Sequence, residues 1–218
     1  MGHKQLVIFD LDGTLIDSKV DLAHAVNAMR LHMGLGPLEF DVIYSYVGNG
    51  APVLVRRAMG TEAGEEDVQH ALDYFLAWYS DHKLDNTCLY PGVRDALDRL
   101  HAAAVAMAVL TNKPVRISRA IVEGLGVGGH FFRVYGGNSF PEKKPNAIGI
   151  ETLIEECGAE RAQTVVVGDS SVDVRTARNA GVPVYGVTYG FAPESFETDP
   201  PDLLFDSMPA LADHVLAS

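Results

Sequence analysis

The sequence predicts an open α/β fold, in which a mainly parallel sheet carries helices on both faces and is interrupted by a helical insertion. Two observations support this prediction. Short runs of consecutive apolar residues, typical of strands buried on both faces, alternate with helical patterns from about residue 88 onward. The stretch 17–87, in contrast, shows helical periodicity and no convincing strand. Alternating strands and helices indicate a parallel sheet with its connecting helices packed on both sides.

Each predicted strand is a short apolar run that ends at a polar residue or a turn. The predicted strands cover residues 4–9, 105–110, 164–167, 182–187 and 202–205. The predicted helices of the same unit cover residues 92–104, 114–125, 146–157, 171–180 and 208–217. Residues 1–16 and 88–218 are therefore expected to form a Rossmann-like α/β core.

The segment 17–87 is expected to form a helical cap domain above the sheet. Helical periodicity covers residues 20–30, 41–46, 52–59 and 64–82. The aromatic residues Tyr74, Phe75 and Trp78 have the spacing of one helix face and are predicted to belong to the cap core. A segment of about 70 residues is within the usual size range of a domain.

Composition excludes several classes of partner. The chain of 218 residues has a formal net charge of −12 at pH 7, and no basic stripe is available to contact a nucleic acid backbone. No apolar run approaches the ~20 residues needed to span a bilayer, and the N-terminal apolar run is too short for a signal-peptide core. We therefore expect a cytoplasmic protein with no nucleic acid or membrane partner. The sequence leaves monomer and homodimer open.

Polar side chains follow three of the predicted strands at the point where each strand ends. Asp10 and Asp12 follow the first strand, Thr111 and Asn112 the second, and Asp169 the third. Ligands of open parallel sheets bind at this edge, near the point where the strand order reverses. Two carboxylates 4 Å apart repel each other by ~4 kcal/mol at an effective dielectric constant near 20. A divalent cation removes this repulsion, and carboxylate oxygens favour Mg²⁺.

Four segments in this order resemble the motifs of the haloacid dehalogenase superfamily. They are DLDGTLIDS at 10–18, LTN at 110–112, KP at 144–145 and GDSSVD at 168–173. Three further segments are similar to those of bacterial phosphoglycolate phosphatases. They are YVGNGA at 46–51 in the predicted cap, YPGV at 90–93, and GG at 136–137 ahead of KKP at 143–145.

This resemblance implies a magnesium-dependent phosphatase that forms a phospho-aspartyl intermediate on Asp10. Asp12 would act as general acid and then as general base, and its backbone carbonyl would bind the metal. Lys144 would balance the charge of the nucleophile and the phosphate. Asp10 and Asp169 would complete the set of metal ligands, and Asp173 would orient Asp169 without binding the metal itself.

The same resemblance implies a set of substrate contacts. The hydroxyl of Thr111, the amide or backbone of Asn112 and the backbone at Gly13 would hold phosphoryl oxygens. In the cap, Asn49 is a candidate substrate contact. Arg56 is a second cap candidate, because arginine binds carboxylates through two hydrogen bonds.

Several neighbouring residues are expected to have no catalytic role. Lys144 precedes the proline of its motif, so it is chosen over Lys143, which is expected to face solvent. Lys113 is expected to be exposed at the start of a helix. Asp17 and Ser18 are expected to cap the first cap helix.

The first-choice substrate is 2-phosphoglycolate, which would be hydrolysed to glycolate and phosphate. The alternatives are a phosphatase for another small phosphomonoester or for pyrophosphate, a sugar-phosphate mutase, and a non-catalytic phosphate-binding module. A mutase would need a cap motif that retains the intermediate, and none is recognised. A binding module would have no need of Asp12 or Lys144, and a dehalogenase would have no need of Asp12.

Overall fold

A computed structural model describes residues 4–217, and a sheet of six parallel strands lies at its centre. In chain order, its strands are β1 (Leu6–Phe9), β4 (Ala106–Leu110), β5 (Arg133–Tyr135), β6 (Thr164–Gly168), β7 (Val184–Val187) and β8 (Leu203–Phe205). The spatial order is β5-β4-β1-β6-β7-β8. Since β1 pairs with β4 on one side and β6 on the other, the order of the strands reverses beside β1. This is where an open α/β sheet forms its ligand site.

Four helices lie between the first and second strands of this sheet. They are α1 (Lys19–His32), α2 (Phe40–Tyr44), α3 (Ala51–Met59) and α4 (Glu65–His82). The chain enters and leaves this insertion through a short antiparallel ladder, in which β2 (Ile16–Asp17) pairs with β3 (Cys88–Leu89). The division into a core of 1–16 and 88–218 and a cap of 17–87 stays a prediction. Residues 1–3 and 218 of the predicted core lie outside the described residues.

The remaining helices cover both faces of the sheet. They are α5 (Val93–Ala102), α6 (Val115–Gly124), α7 (Ile148–Cys157), α8 (Ser171–Ala180) and α9 (Met208–Ala217). Alternate side chains of β1 point to opposite faces, so Val7 and Phe9 join one apolar cluster and Leu6 and Ile8 join the other. The first cluster includes residues of α5, α6 and α9 and extends into the insertion, whereas the second includes residues of α7 and α8.

The predicted fold class is confirmed. The five predicted strands are present, with β1 and β7 each two residues shorter at the start than predicted. The sheet has one further strand, β5, which was not predicted. This strand has three residues and lies at the edge of the sheet, with Arg133 exposed, so it lacks the continuous apolar run of a buried strand. Within the described part of the chain, no helix is long and apolar enough to cross a membrane.

Candidate active site

A cavity of about 160 Å³ lies between the carboxyl ends of the central strands and the insertion. The core lines it with Asp10 after β1, Thr111 after β4 and Asp169 after β6. The insertion lines it with Asn49 from the loop before α3 and with Tyr79 from α4. The strand order therefore brings together side chains that are up to 159 residues apart in the sequence, from Asp10 to Asp169.

Three carboxylates form a cluster at this site, of which Asp169 and Asp173 are buried and Asp10 is partly exposed. Asp10, Asp169 and Asp173 each offer an oxygen, and these oxygens all lie within 4.8 Å of one another. The Nζ atom of Lys144 lies 2.8 Å from Asp10 Oδ1 and 2.7 Å from Asp173 Oδ1. One ammonium group therefore faces three carboxylates, and the excess of oxygen donors fits a hard divalent cation such as Mg²⁺.

Burial and this excess of negative charge shift the pKa values of the cluster. Burial raises the pKa of Asp10 to about 6, against the opposing effect of Lys144. Burial and the neighbouring charges of Asp173 and Asp10 raise the pKa of Asp169 well above its usual range. Burial opposes the charge of Lys144, but Asp10 and Asp173 raise its pKa overall. A bound divalent cation would stabilise the ionised form of all three carboxylates.

Asp12 is not part of this cluster and belongs to a second network. Its Oδ1 and Oδ2 atoms accept hydrogen bonds from Lys113 Nζ at 2.8 and 3.1 Å, and the Oγ of Ser18 donates to Oδ1 at 2.5 Å. Lys113 Nζ also donates to the hydroxyl of Tyr79 at 2.6 Å. The expectation that Lys113 is exposed is wrong, because its ammonium is buried between these two partners. Ser18 precedes α1 as expected, but its side chain binds Asp12 and makes no helix-capping hydrogen bond.

The residues after β4 join the core to the insertion. Thr111 is buried, and its Oγ1 accepts a hydrogen bond from the backbone N–H of Lys113. The Nδ2 of Asn112 donates to the carbonyls of Gly48 and Lys144 at 3.3 and 3.2 Å. Since the side-chain amide of Asn112 already has these partners, its backbone is the better candidate to hold a phosphoryl oxygen.

Gly13 forms the turn that follows β1. Its φ is +83°, and a Cβ atom there would lie 2.0 Å from Asp169 Oδ2. Only glycine fits this position, so the backbone can approach the carboxylates closely. The backbone N–H of Phe191 donates to the same Asp169 oxygen at 2.6 Å, a contact that the sequence did not predict.

The two cap candidates have different positions. Asn49 lines the cavity, and its backbone carbonyl accepts a hydrogen bond of 2.6 Å from Lys143. Arg56 does not reach the cavity: it donates to the carbonyl of Ala63 and pairs with Glu65. Leu54 of α3 lines the cavity, and Arg56, two residues further on, is rotated by roughly 200° around the helix. The structure therefore does not support Arg56 as a substrate contact.

Sequence reasoning missed two residues of the site, Lys113 and Tyr79. Both had a signal in the sequence. Lys113 directly follows the Thr111-Asn112 motif, and Tyr79 extends the buried stripe of α4, four residues after Phe75. The buried stripe of α4 points to an inward position for Tyr79 only, whereas Lys113 was expected to be exposed, and nothing in the pattern indicated that the two side chains meet.

The fold and the site define an α/β enzyme with a carboxylate-rich centre at the switch point of a parallel sheet. A family model for haloacid dehalogenase-like hydrolases matches residues 7–187. The chain belongs to this family.

The chain is also similar over most of its length to individual members. A phosphoglycolate phosphatase of Chromobacterium violaceum is 41% identical over 217 residues, which cover 98% of this chain and 97% of that protein. A phosphoglycolate phosphatase of Pseudomonas fluorescens is 42% identical over 193 residues, which cover 86% of this chain and 70% of that protein. The crystal structure of a predicted phosphoglycolate phosphatase from Haemophilus somnus 129PT superposes with a TM-score of 0.92 at 32% identity. That match covers 98% of this chain and 99% of the other.

Proposed function

We propose that this protein is a magnesium-dependent phosphatase that hydrolyses 2-phosphoglycolate to glycolate and phosphate. The observation that carries the proposal is the position of Asp10 at the end of the central strand. There it lies 2.8 Å from the ammonium group of Lys144 and within a cluster of three carboxylates. The similarity to proteins named phosphoglycolate phosphatase, over nearly the whole chain, supports the substrate. The cavity of about 160 Å³ favours a substrate of this small size.

Asp10 is the nucleophile of the proposed reaction. One of its oxygens forms a bond to phosphorus as the bond between phosphorus and the leaving oxygen breaks. Asp12 donates a proton to that oxygen, so glycolate leaves as an alcohol. In the second half, Asp12 takes a proton from a water molecule whose oxygen attacks phosphorus, and the Asp10 carboxylate is released with phosphate.

The other residues hold and neutralise the phosphoryl group. Lys144 balances the charge of Asp10, while Thr111, the backbone of Asn112 and the backbone at Gly13 contact the phosphoryl oxygens. Mg²⁺ would be held by Asp10, Asp169 and the backbone carbonyl of Asp12, and it would supply positive charge against the phosphoryl oxygens. Asp173 supports the set through its hydrogen bond to Lys144.

One residue of the insertion is a proposed substrate contact. Asn49 lines the cavity together with Asp10 and Asp169 and is proposed to contact the leaving group. We propose that the protein acts on this small phosphorylated acid in the cytoplasm, as a monomer or a homodimer.

The experiment that tests the substrate is a measurement of kcat/KM over a panel of small phosphate compounds with Mg²⁺. The panel contains 2-phosphoglycolate, ethyl phosphate, a hexose phosphate and pyrophosphate. We expect 2-phosphoglycolate to give the highest value and EDTA to abolish turnover until Mg²⁺ is restored. A higher value for another member would replace the substrate, and no turnover of any member would overturn the phosphatase.

The variant Asp10→Asn tests the nucleophile. An amide oxygen cannot form the acyl phosphate, so we expect kcat to fall by more than about a thousandfold. The fold should persist, because burial disfavours the charge that the substitution removes. Steady-state kinetics and circular dichroism measure the two effects.

The matched control is Asp95→Asn, which changes an exposed carboxylate on α5 and should retain activity. Acid-quenched wild-type enzyme should carry one phosphoryl group by mass spectrometry, and Asp10→Asn none. Turnover by Asp10→Asn close to that of the wild type would rule out the assignment.

A further inference from the structure

The hydroxyl of a cap tyrosine is connected to the carboxylate of Asp12 through one lysine. Tyr79 lies on α4 of the insertion, and its hydroxyl is 2.6 Å from Lys113 Nζ. The same ammonium group lies 2.8 and 3.1 Å from the two oxygens of Asp12. Asp12, Lys113 and Tyr79 therefore form a chain of hydrogen bonds that runs from the core into the insertion.

Burial fixes the geometry of this chain. Tyr79 is 2% exposed, and its ring stacks on Phe75 of the same helix. The side chain of Lys113 is 4% exposed, and a buried ammonium group needs its hydrogen-bond partners to offset the lost hydration. Burial raises the pKa of Tyr79 to about 12, so its hydroxyl is neutral at neutral pH and can accept from the ammonium group. The position of Lys113, and with it that of Asp12, depends on both partners.

We propose that Tyr79 is a positioning residue of the phosphatase reaction, which acts through Lys113 to hold Asp12 where it exchanges a proton with the leaving group. The inference rests on the proposed function. It gives the insertion a part in proton transfer: α4 carries the hydroxyl that holds the ammonium group, and the ammonium group holds the acid. The hydroxyl of Ser18 also donates a hydrogen bond to this carboxylate, at Asp12 Oδ1.

The chemistry of the leaving group determines how strongly kcat/KM depends on the position of Asp12. Glycolate leaves 2-phosphoglycolate as an alcohol and needs a proton from Asp12 as the bond to phosphorus breaks. Acetyl phosphate has a similar size, but acetate is a stable carboxylate and leaves without that proton. Because kcat/KM reports the steps up to departure of the leaving group, a defect in the position of Asp12 should lower it for the first substrate only.

The test is Tyr79→Phe, which removes the hydroxyl and keeps the ring that packs on Phe75. We expect kcat/KM for 2-phosphoglycolate to fall about tenfold, since a misplaced general acid loses part of its 10²- to 10⁴-fold contribution. For acetyl phosphate, we expect a change of less than about twofold. Tyr74→Phe is the matched control, because it removes a hydroxyl from the same helix. The ring of Tyr74 stacks on His32 and does not line the cavity, so this variant should change kcat/KM for neither substrate.

A second variant makes the test independent of the folding of the first. Lys113→Met removes the link itself, and it should show the same dependence on the leaving group with a fall of about a hundredfold for 2-phosphoglycolate. Equal falls for both substrates in Tyr79→Phe and in Lys113→Met, or no fall for either, would overturn the inference. Such a result would assign the pair to packing or to phosphate binding.

Failure of the proposed function has a different signature. It shows in the wild-type enzyme, as a preference for another member of the panel over 2-phosphoglycolate. In that case, the alkyl phosphate that the wild type prefers replaces 2-phosphoglycolate in the comparison with acetyl phosphate. A larger fall in kcat/KM for the alkyl phosphate than for acetyl phosphate in Tyr79→Phe would still support the positioning role of Tyr79.

Discussion

The turn after β1 leads to a prediction at the residue scale. In Gly13→Ala, the new methyl group would meet Asp169 Oδ2 at 2.0 Å, in a backbone conformation with φ of +83°. Either the turn or the Asp169 carboxylate must move, and both contribute to the proposed phosphate and metal site. We expect kcat/KM to fall by more than about a hundredfold, because a shift of ~1 Å at reacting groups has effects of this size.

Gly34→Ala is the control for this prediction. Gly34 has a φ of +73°, but a Cβ atom added there would meet no atom within 4 Å beyond its chain neighbours. It should show the backbone cost of ~1 kcal/mol in urea unfolding and no loss of turnover. If both variants were equally active, close approach of the backbone at Gly13 would have no part in catalysis.

Single residues also show where sequence reasoning stopped. Asp10 and Asp169 could be placed together because parallel strands end at one edge of a sheet, and the structure has them in one cluster. Lys113, just before α6, and Arg56, within α3, could not be placed, because each has a long side chain whose direction depends on packing. The structure turns Lys113 inward to Asp12 and Arg56 outward to Glu65, the reverse of both expectations.

At the scale of elements, the buried carboxylate of Asp21 fastens the start of α1 to the segment before β3. It accepts hydrogen bonds from the backbone N–H groups of Asn86 and Thr87 and from both of their side chains. Despite the opposing effect of burial, these hydrogen bonds hold the pKa of Asp21 below its usual value. The stabilisation is therefore present above the unfolded-state pKa of about 4 and is lost as the pH falls through the lower, folded-state value.

The variant Asp21→Ala should destabilise the protein. It leaves four donors at the base of the insertion without this acceptor, and we expect the free energy of unfolding at neutral pH to fall by ~2–4 kcal/mol. Urea unfolding followed by circular dichroism measures the change. Asp81→Ala, an exposed carboxylate near the end of α4, should change it by less than ~0.5 kcal/mol. If Asp21→Ala also lowered the free energy of unfolding by less than ~0.5 kcal/mol, Asp21 would not fasten α1 to the segment before β3.

The predictability of the elements follows from their length and burial. Strand β6 is a continuous apolar run and helix α8 has a clear helical period, and the predicted bounds of both agree with the structure to within one residue. The ladder of β2 and β3 has two residues in each strand, and its pairing joins Ile16 to Leu89 across the whole insertion. Nothing local in either segment encodes that contact, so the sequence pattern could not supply it.

At the scale of the whole molecule, the raised pKa of Asp10 predicts how the effect of Mg²⁺ on the stability of the protein should depend on pH. The raised pKa of Asp10, about 6, means that the folded protein without metal holds a proton there that the unfolded chain releases near pH 4. That contribution to stability is lost as the pH rises through about 6, whereas Mg²⁺ in the proposed site would bind the ionised carboxylate. Stabilisation by Mg²⁺ should therefore grow with pH.

Thermal unfolding in MgCl₂ and in EDTA, at about pH 5 and about pH 7.5, measures this effect. We expect the rise in Tm caused by Mg²⁺ to be larger by roughly 5 °C at the higher pH. In Asp169→Asn, which lacks one proposed ligand, the rise should be small at both values. Equal rises in the wild-type protein at the two pH values would show that Mg²⁺ does not bind at these carboxylates.

The short ladder of β2 and β3 has one more consequence. Residues paired across an antiparallel ladder lie about 5 Å apart, so the chain leaves the sheet and returns to it at almost the same place. The insertion can therefore be exchanged as a cassette: another helical segment with closely spaced ends could replace it without altering strand order or the positions of Asp10 and Asp169. A lineage, or an engineer, could in this way recruit a new leaving-group pocket above the same carboxylates, provided that the new segment again supplies a hydrogen-bond partner for Lys113.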